Sequence, residues 1–438
     1  MAYYAPSTED EQLEMMREVG VSSWDGLYAD LPEELLLDGL AIPDGASEFG
    51  AQAVMERLAS KNAAFQTIFR GAGAYNHYIP SLVKQITSKE EFVTSYTPYQ
   101  AEISQGTLQS IFEFQTMMCE LTGLDASNAS VYDGAAAAAE AAAMCRSRDR
   151  RAVLVSEAAK PNVISVVETY CYAAGAELRR VPTRGGLTDG DALAAMLDGS
   201  SACVYIEQPN FFGLIEDASA LGRIAHGGGA KFVMGVNPIA AALLKTPGEC
   251  GADVAVGEGQ PLGMPLSFGG PYLGFMTAAE DMARKLPGRI VGETVDADGK
   301  RAFVLTLQAR EQHIRREKAS SNICSNQALC ALSAAVYMTV MGPRGLRQAA
   351  ESCFSKAHYA ERKISSVRGF EPVYEGEFFH EFVTACPVGT ESLMRRLESR
   401  GILGGMPVDD GILWCVTEMN SRAEIDDLVS ILKEVAEG

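Results

Sequence analysis

Between residues 129 and 278 the chain repeats one pattern: a short apolar run rich in Val, Ile and Ala, then a stretch of helical character. The apolar runs fall at 129–133, 151–157, 176–182, 201–209, 231–237, 252–258 and 272–278, and helices are expected over Ala135–Arg146 and Pro161–Ala174 among the connections. Strands that are apolar on both faces, joined by helical crossovers, need a mostly parallel sheet covered on both sides. An α/β fold is therefore expected, with the sheet inside a large domain over residues 61–320. Ahead of it, residues 1–60 read as a helical arm. Thr8 and Glu11 form a capping box for a helix that stops at Gly20, and a short acidic helix follows Pro32. Residues 321–438 read as a smaller α+β domain. A long helix runs from near Asn326 to about Ser366, strands follow at 378–385 and 411–418, and Ser421 and Glu424 cap a last helix.

Charge and cysteine usage narrow the function. A formal net charge of -20 argues against a nucleic-acid backbone or an anionic membrane surface as partner. The opening MAYYAPSTED lacks the basic stretch and apolar core of a secretory signal, and no apolar run reaches the ~20 residues of a membrane span. Ten cysteines are scattered singly without a C-x-x-C pair, as expected of reduced thiols in a cytoplasmic protein. The five histidines, His77, His226, His313, His358 and His380, show no metal-ligand spacing, so no metal is expected.

Several segments carry chemistry. Gly71-Ala72-Gly73 and Gly257-Glu258-Gly259 begin like dinucleotide fingerprints, but Asn76 and Leu262 hold the last glycine position, which argues against that reading. Tyr132-Asp133-Gly134-Ala135 is either an ordinary turn with an acidic N-cap or a place for a phosphate at a helix N-terminus. The Gly- and Pro-rich stretch 257–274 implies irregular backbone at a cleft or subunit interface. Residues 94–109 concentrate hydroxyl, aromatic and carboxylate groups, with Tyr96, Thr97, Tyr99, Gln100 and Glu102 closely spaced. They form a packing turn or a ligand contact. Arg310, His313, Arg315, Arg316 and Lys318 make a basic island in an acidic chain, either a docking point for a carrier or a set of internal ion pairs with neighbours such as Glu311 and Glu317.

The segments FRGAGAYNHYIP (69–80), YTPYQAEISQGTLQSIFEFQTMM (96–118), EQPNFFGLIED (207–217), GGPYLGF (269–275) and AREQHIRREKASSNICSNQAL (309–329) resemble the glycine-cleavage P-protein. They are most similar to its alpha subunit, glycine dehydrogenase (decarboxylating) subunit 1. The resemblance runs from the N-terminal arm to the last helix. It implies the pyridoxal-phosphate fold type I (aspartate-aminotransferase-like) and a two-chain enzyme. The pair decarboxylates glycine and passes the aminomethyl group to the lipoyl group of a carrier H-protein.

The cofactor lysine of the sister subunit lies in a His-Lys-Thr-Phe run leading into Gly-Gly-Pro, which puts Gln260 at that position here. The acid that faces the pyridine nitrogen belongs to an Asp-Gly-Ala-Asn run, which puts Met234 at that position. A pyridoxal site needs both groups, so no catalytic residue is expected in this chain. Pyridoxal phosphate is expected on a homologous beta subunit, in an α2β2 assembly. The 94–109 segment is expected to reach the partner's site, and the basic island is the candidate carrier dock. Lys160-Pro161 departs from the His-Pro of the alpha-subunit pattern. Two alternatives remain open: an autonomous pyridoxal enzyme using Lys245 or Lys160, or a non-enzymatic scaffold.

Overall fold

The computed structural model describes residues 8–37, 39, 41–43, 45–95, 97–319, 321–323 and 325–437. The chain forms two compact units, Met1–Ala64 and Phe65–Gly438. In the first, the helix Glu9–Val19 opens on the expected capping box, with Thr8 Oγ1 accepting from Glu11 N and the Glu11 carboxylate accepting from Thr8 N, and Gly20 ends it in the left-handed conformation. A second helix, Glu48–Ala59, is capped by Ser47.

The second unit is built on a seven-stranded sheet. Its strands are β1 (Ala126–Ser127), β2 (Ala152–Ser156), β3 (Leu178–Val181), β4 (Ser201–Gln208), β5 (Lys231–Val236), β6 (Val254–Glu258) and β7 (Gly274–Ala278), in the order β1-β7-β6-β5-β4-β2-β3. Strands β3, β2, β4, β5 and β6 are parallel, and β7 runs antiparallel to both β6 and β1. The sheet is thus mostly parallel, as expected. Every residue of β2 and β4 is buried, because helices cover both faces. Alternation assigns the side chains: Val153, Val155, Cys203 and Tyr205 point to one core, and Leu154, Val204 and Ile206 to the other.

The first core is closed by α1 (Gly134–Cys145) and α2 (Pro161–Ala173). The alanine run makes α1 buried almost all round, which lets it lie close to the sheet. On the other side packs α3 (Ala328–Ser365), which kinks at Gly342 before Pro343. Ala331, Tyr337 and Leu346 of α3 belong to the sheet's core, whereas Ala357, Ala360 and Ile364 belong to the C-terminal core. By length α3 is able to cross a membrane, but it packs here between two protein cores.

Two features were not foreseen. Ile290–Val295 and Arg301–Thr306 form an antiparallel hairpin. In addition, Thr67–Ile68 pairs in parallel with Ile402–Leu403, and Phe69 is buried in the C-terminal core. The start of the second unit therefore packs with its end. The expected strand over 129–133 is reduced to an isolated bridge between Val131 and Gly274, and regular pairing lies at Ala126–Ser127. The C-terminal part holds a three-stranded antiparallel sheet, Glu381–Thr384, Gly411–Cys415 and Met406–Val408. The last helix, Arg422–Glu437, opens on the expected Ser421–Glu424 capping box.

Candidate functional site

In a parallel sheet, ligands bind beyond the carboxyl ends of the strands. There the second unit has a cavity of about 390 Å³, whose lining includes Lys160, Tyr205, Glu207, Gly235, Asn237 and Glu258, the helix start Asp133–Ala135, and the loop Gly71–Tyr75. Three of its polar side chains, Lys160, Tyr205 and Glu207, are engaged with one another. The Lys160 ammonium donates to Glu207 Oε2 at 2.9 Å, and the Lys160 backbone N–H reaches the same oxygen at 3.1 Å. The Tyr205 hydroxyl donates to Glu207 Oε1 at 3.0 Å. Glu207 is buried, so this pairing compensates a carboxylate that burial would otherwise make costly.

Gln260 and Met234 do not line the cavity among its described walls. The Gln260 side chain is fully buried and clasps the loop over the cavity. Its Oε1 accepts from Tyr75 N at 2.8 Å, and its Nε2 donates to Tyr75 O at 2.9 Å and Met264 O at 2.8 Å. Met234 is fully buried in the apolar core under the sheet, where a thioether packs without the desolvation cost of a carboxylate. Lys245 is exposed and is not among the residues that line the cavity.

The residues present do not fit pyridoxal phosphate. The side chain at 260 is an amide with its hydrogen bonds already made, and Lys160 in the cavity wall is held by Glu207. In addition, the anion-binding start of α1 is taken: Gly134 N donates to Glu258 Oε2 at 3.0 Å.

Beside the cavity lies a second buried polar group. Tyr75 Oη donates to Glu381 Oε2 at 2.8 Å, and Ala72 N donates to Glu381 Oε1 at 2.6 Å. Burial pushes the Glu381 carboxyl up, against these hydrogen bonds. Burial and the neighbouring His77 hold the His380 imidazole well below the usual histidine range. Histidine spacing gave no sign of a cluster, yet the fold brings His77, Cys353 and Glu418 together, with their ligand-capable atoms within 4.8 Å of one another. They bond internally: His77 Nδ1 lies 2.8 Å from Glu418 Oε2, and the Cys353 thiol donates to the same oxygen at 3.1 Å. Burial opposes ionisation of Glu418, but the His77 contact and the Tyr78 N–H outweigh it and hold the carboxyl down at about 2.

The 94–109 segment borders a larger cavity of about 520 Å³, lined among others by Thr97, Tyr99, Arg289 and Asn326. The Tyr99 ring lies under the Arg289 guanidinium at 4.1 Å, and its hydroxyl donates to Asn326 Oδ1 at 3.4 Å. Gln100 and Glu102 are exposed beside this cavity's wall and are not part of the lining. Tyr96 lies outside the described residues. Arg289 and Asn326 were not singled out in the sequence, where nothing ties them to Tyr99.

The basic island is split. Arg310 turns inward, donating to the backbone carbonyls of Leu286 and Gly288, and burial lowers its pKa. Its guanidinium is thus engaged inside the fold, unlike the exposed cations that follow it. Glu311 is buried and pairs with Arg289 at 3.3 Å and with His313 at 3.8 Å, so the expected pairing inside the run is only partial. His313, Arg315, Arg316 and Lys318 are exposed.

Comparison with known proteins fits this geometry to a family. The profile of the glycine cleavage system P-protein matches residues 2–432. The chain belongs to the glycine cleavage system P-protein family. Among P-proteins it is 48% identical over 443 residues to the probable glycine dehydrogenase (decarboxylating) subunit 1 of Desulfitobacterium hafniense, covering 99% of each chain. It is 49% identical over 444 residues to the same-named subunit of Desulforamulus reducens, covering 99% of this chain and 100% of the other. A crystal structure of the P-protein glycine decarboxylase in inhibitor-bound form superposes with a TM-score of 0.93 at 41% identity, covering 99% of this chain and 100% of that one. A more distant structure, a C-DES mutant with glycine covalently linked to its PLP cofactor, superposes with a TM-score of 0.63 at 14% identity over 84% of this chain and 96% of that one. That likeness shows the fold, which is the pyridoxal-phosphate fold type I.

Proposed function

We propose that this chain is the cofactor-free subunit of a two-chain glycine decarboxylase. It pairs with a homologous beta subunit that carries the lysine and pyridoxal phosphate, in an α2β2 arrangement within the cytoplasm. The pair decarboxylates glycine and hands the aminomethyl group to the lipoyl group of H-protein. One observation carries the reading: in a chain that belongs to the P-protein family over residues 2–432, Gln260, where the resemblance expects the cofactor lysine, is a buried amide already bonded on three sides beside the cavity at the carboxyl edge of the sheet. The names of its relatives, which call them subunit 1, support a partner chain.

The partner's site is expected to meet Tyr96, Thr97, Tyr99, Gln100 and Glu102. The exposed amide at 100 and carboxylate at 102 offer neutral and charged partners beside a cavity with a cationic wall at Arg289. The test is co-expression with the lysine-bearing chain. A stoichiometric complex that releases CO2 from glycine is expected, and a lysine-bearing chain that is fully active by itself would overturn the reading. Within that complex, Tyr99→Phe or Glu102→Gln is expected to lower kcat/KM for glycine about tenfold, the loss of one good hydrogen bond. Unchanged kinetics in both variants would remove the segment from the partner's site.

For the carrier, the exposed cations left after Arg310 is set aside are His313, Arg315, Arg316 and Lys318. A carrier that docks and leaves is steered by charge at the rim. Replacing Arg315 and Arg316 with Gln is expected to raise KM for H-protein about three- to tenfold and to flatten its salt dependence. Normal carrier kinetics with a less stable assembly would assign these residues to structure instead.

A further inference from the structure

The N-terminus of α1 points its free N–H groups at the cavity, the arrangement that binds anions in many folds. Here an anion is already present, and it belongs to the chain. Glu258, at the end of β6, gives Oε2 to Gly134 N at 3.0 Å, and its Oε1 accepts from Leu273 N at 2.9 Å and Gln260 N at 3.1 Å. One carboxylate thus gathers three backbone donors, one at the start of α1 and two within the Gly- and Pro-rich stretch 257–274. The approach is built in: a Cβ added at Gly134 would lie 2.8 Å from Glu258 N, so only glycine admits β6 this close to the helix start. The N-cap, Asp133, uses its own carboxylate on Ala136 N at 2.8 Å and leaves the Gly134 donor to Glu258.

We propose that Glu258 is a built-in anion that fills the oxyanion cradle at the start of α1 and so keeps phosphate-bearing small molecules out of the cavity. The remaining charges agree. Asp133, Glu207 and Glu258 face one lysine, Lys160, which is drawn away to Glu207, so an incoming phosphate finds no free cation among the described residues of the cavity's walls. Burial, with Asp133 adding to it, raises the Glu258 carboxyl to about 7 against its three N–H bonds. About one unit or more above that pH the carboxylate predominates and the cradle holds a charged occupant. The inference deepens the cofactor-free reading above, supplying a physical reason for it in the ligand's phosphate end.

Chemical rescue tests the proposal on the full-length chain, above the pH at which Glu258 titrates. The thermal midpoint of the wild type and of Glu258→Ala is measured against sodium acetate and sodium phosphate, with sodium chloride at matched ionic strength as control. Glu258→Ala empties the cradle and strands three donors, so its midpoint is expected to fall by several degrees. Acetate and phosphate are each expected to restore more than half of that loss, and neither is expected to move the wild type beyond the chloride control. Absence of anion-specific recovery in the variant would overturn the proposal. Recovery by acetate without phosphate would overturn the exclusion of phosphates. Should Glu258→Ala not fold on its own, its refolding yield in acetate and in phosphate against chloride replaces the thermal midpoint as the readout, and equal yields in all three would overturn the proposal. In either case calorimetric titration of wild type with inorganic phosphate must show no site at millimolar concentration, and a saturable site there would refute a filled cradle. No partner or glycine enters these measurements. Their failure therefore leaves the decarboxylase reading standing, and failure of the co-expressed pair leaves this proposal standing.

Discussion

Purified without a partner, the chain is expected to give no measurable exchange of CO2 with the carboxyl carbon of glycine, a deficit of more than about a thousandfold relative to the assembled pair. Two separate requirements fail. An amide at 260 forms no Schiff base, and the Met234 side chain lies in the apolar core rather than against a cofactor ring. Neither Lys160 nor Lys245 substitutes: one is bound to Glu207, and the other lies on the surface. Isotope exchange on the isolated chain, with added pyridoxal phosphate, measures this directly. Exchange at even a few per cent of the pair's rate would revive the autonomous enzyme.

The second large effect is expected from Gln260→Lys, which places a lysine where the resemblance expects the sister subunit's. Rather than activity, it is expected to bring a loss of about 3–5 kcal/mol in stability, the range for a buried charge left without its counter-charge. The Gln260 amide both accepts and donates, whereas an ammonium only donates. Tyr75 N would therefore lose its acceptor, and a positive charge would stand among backbone carbonyls at a site with almost no exposure. Denaturant unfolding gives the stability change. Pyridoxal-type absorbance is expected to be absent after gel filtration with the cofactor, because Glu258 still holds the start of α1. A stable variant that retained the cofactor would contradict both the clasp and the filled cradle.

Much of the fold was legible in the chain because its signals are local. Continuous apolar runs at β2, β4 and β5 marked strands buried on both faces, and the capping boxes at Thr8 and Ser421 marked helix starts to the residue. The hairpin at 290–306 was missed because one strand, Ile290–Val295, buries only its first residues, so it lacks a full apolar run. Placing Gln260 at the expected lysine position rests on family resemblance alone, because no local pattern in the chain marks it. What fills the site instead was not. Glu258 and Gly134 are 124 residues apart and Gln260 and Tyr75 are 185 apart, and no spacing rule connects them. Arg310 shows the opposite failure. In sequence it is one more cation in a basic run, and only the carbonyls of Leu286 and Gly288 reveal that it faces inward.

The pairing of Thr67–Ile68 with Ile402–Leu403 has a bearing on how the chain is made. At about 5–20 residues per second on the ribosome, the first of these segments waits some tens of seconds for the second to emerge. Throughout that interval Phe69, destined for the C-terminal core, lacks the part of that core from Ile402 to Leu432, Trp414 included, and the backbone beside it has no strand to pair with. Residues 126–278, by contrast, hold all seven strands of the large sheet and can pair among themselves as soon as they are out. Synthesis therefore favours an order in which the sheet forms first and the amino-terminal segment closes onto the finished carboxyl end last. A chain stalled before residue 402 would carry an exposed Phe69 and an unpaired strand edge, the kind of surface that chaperones bind and that seeds aggregation.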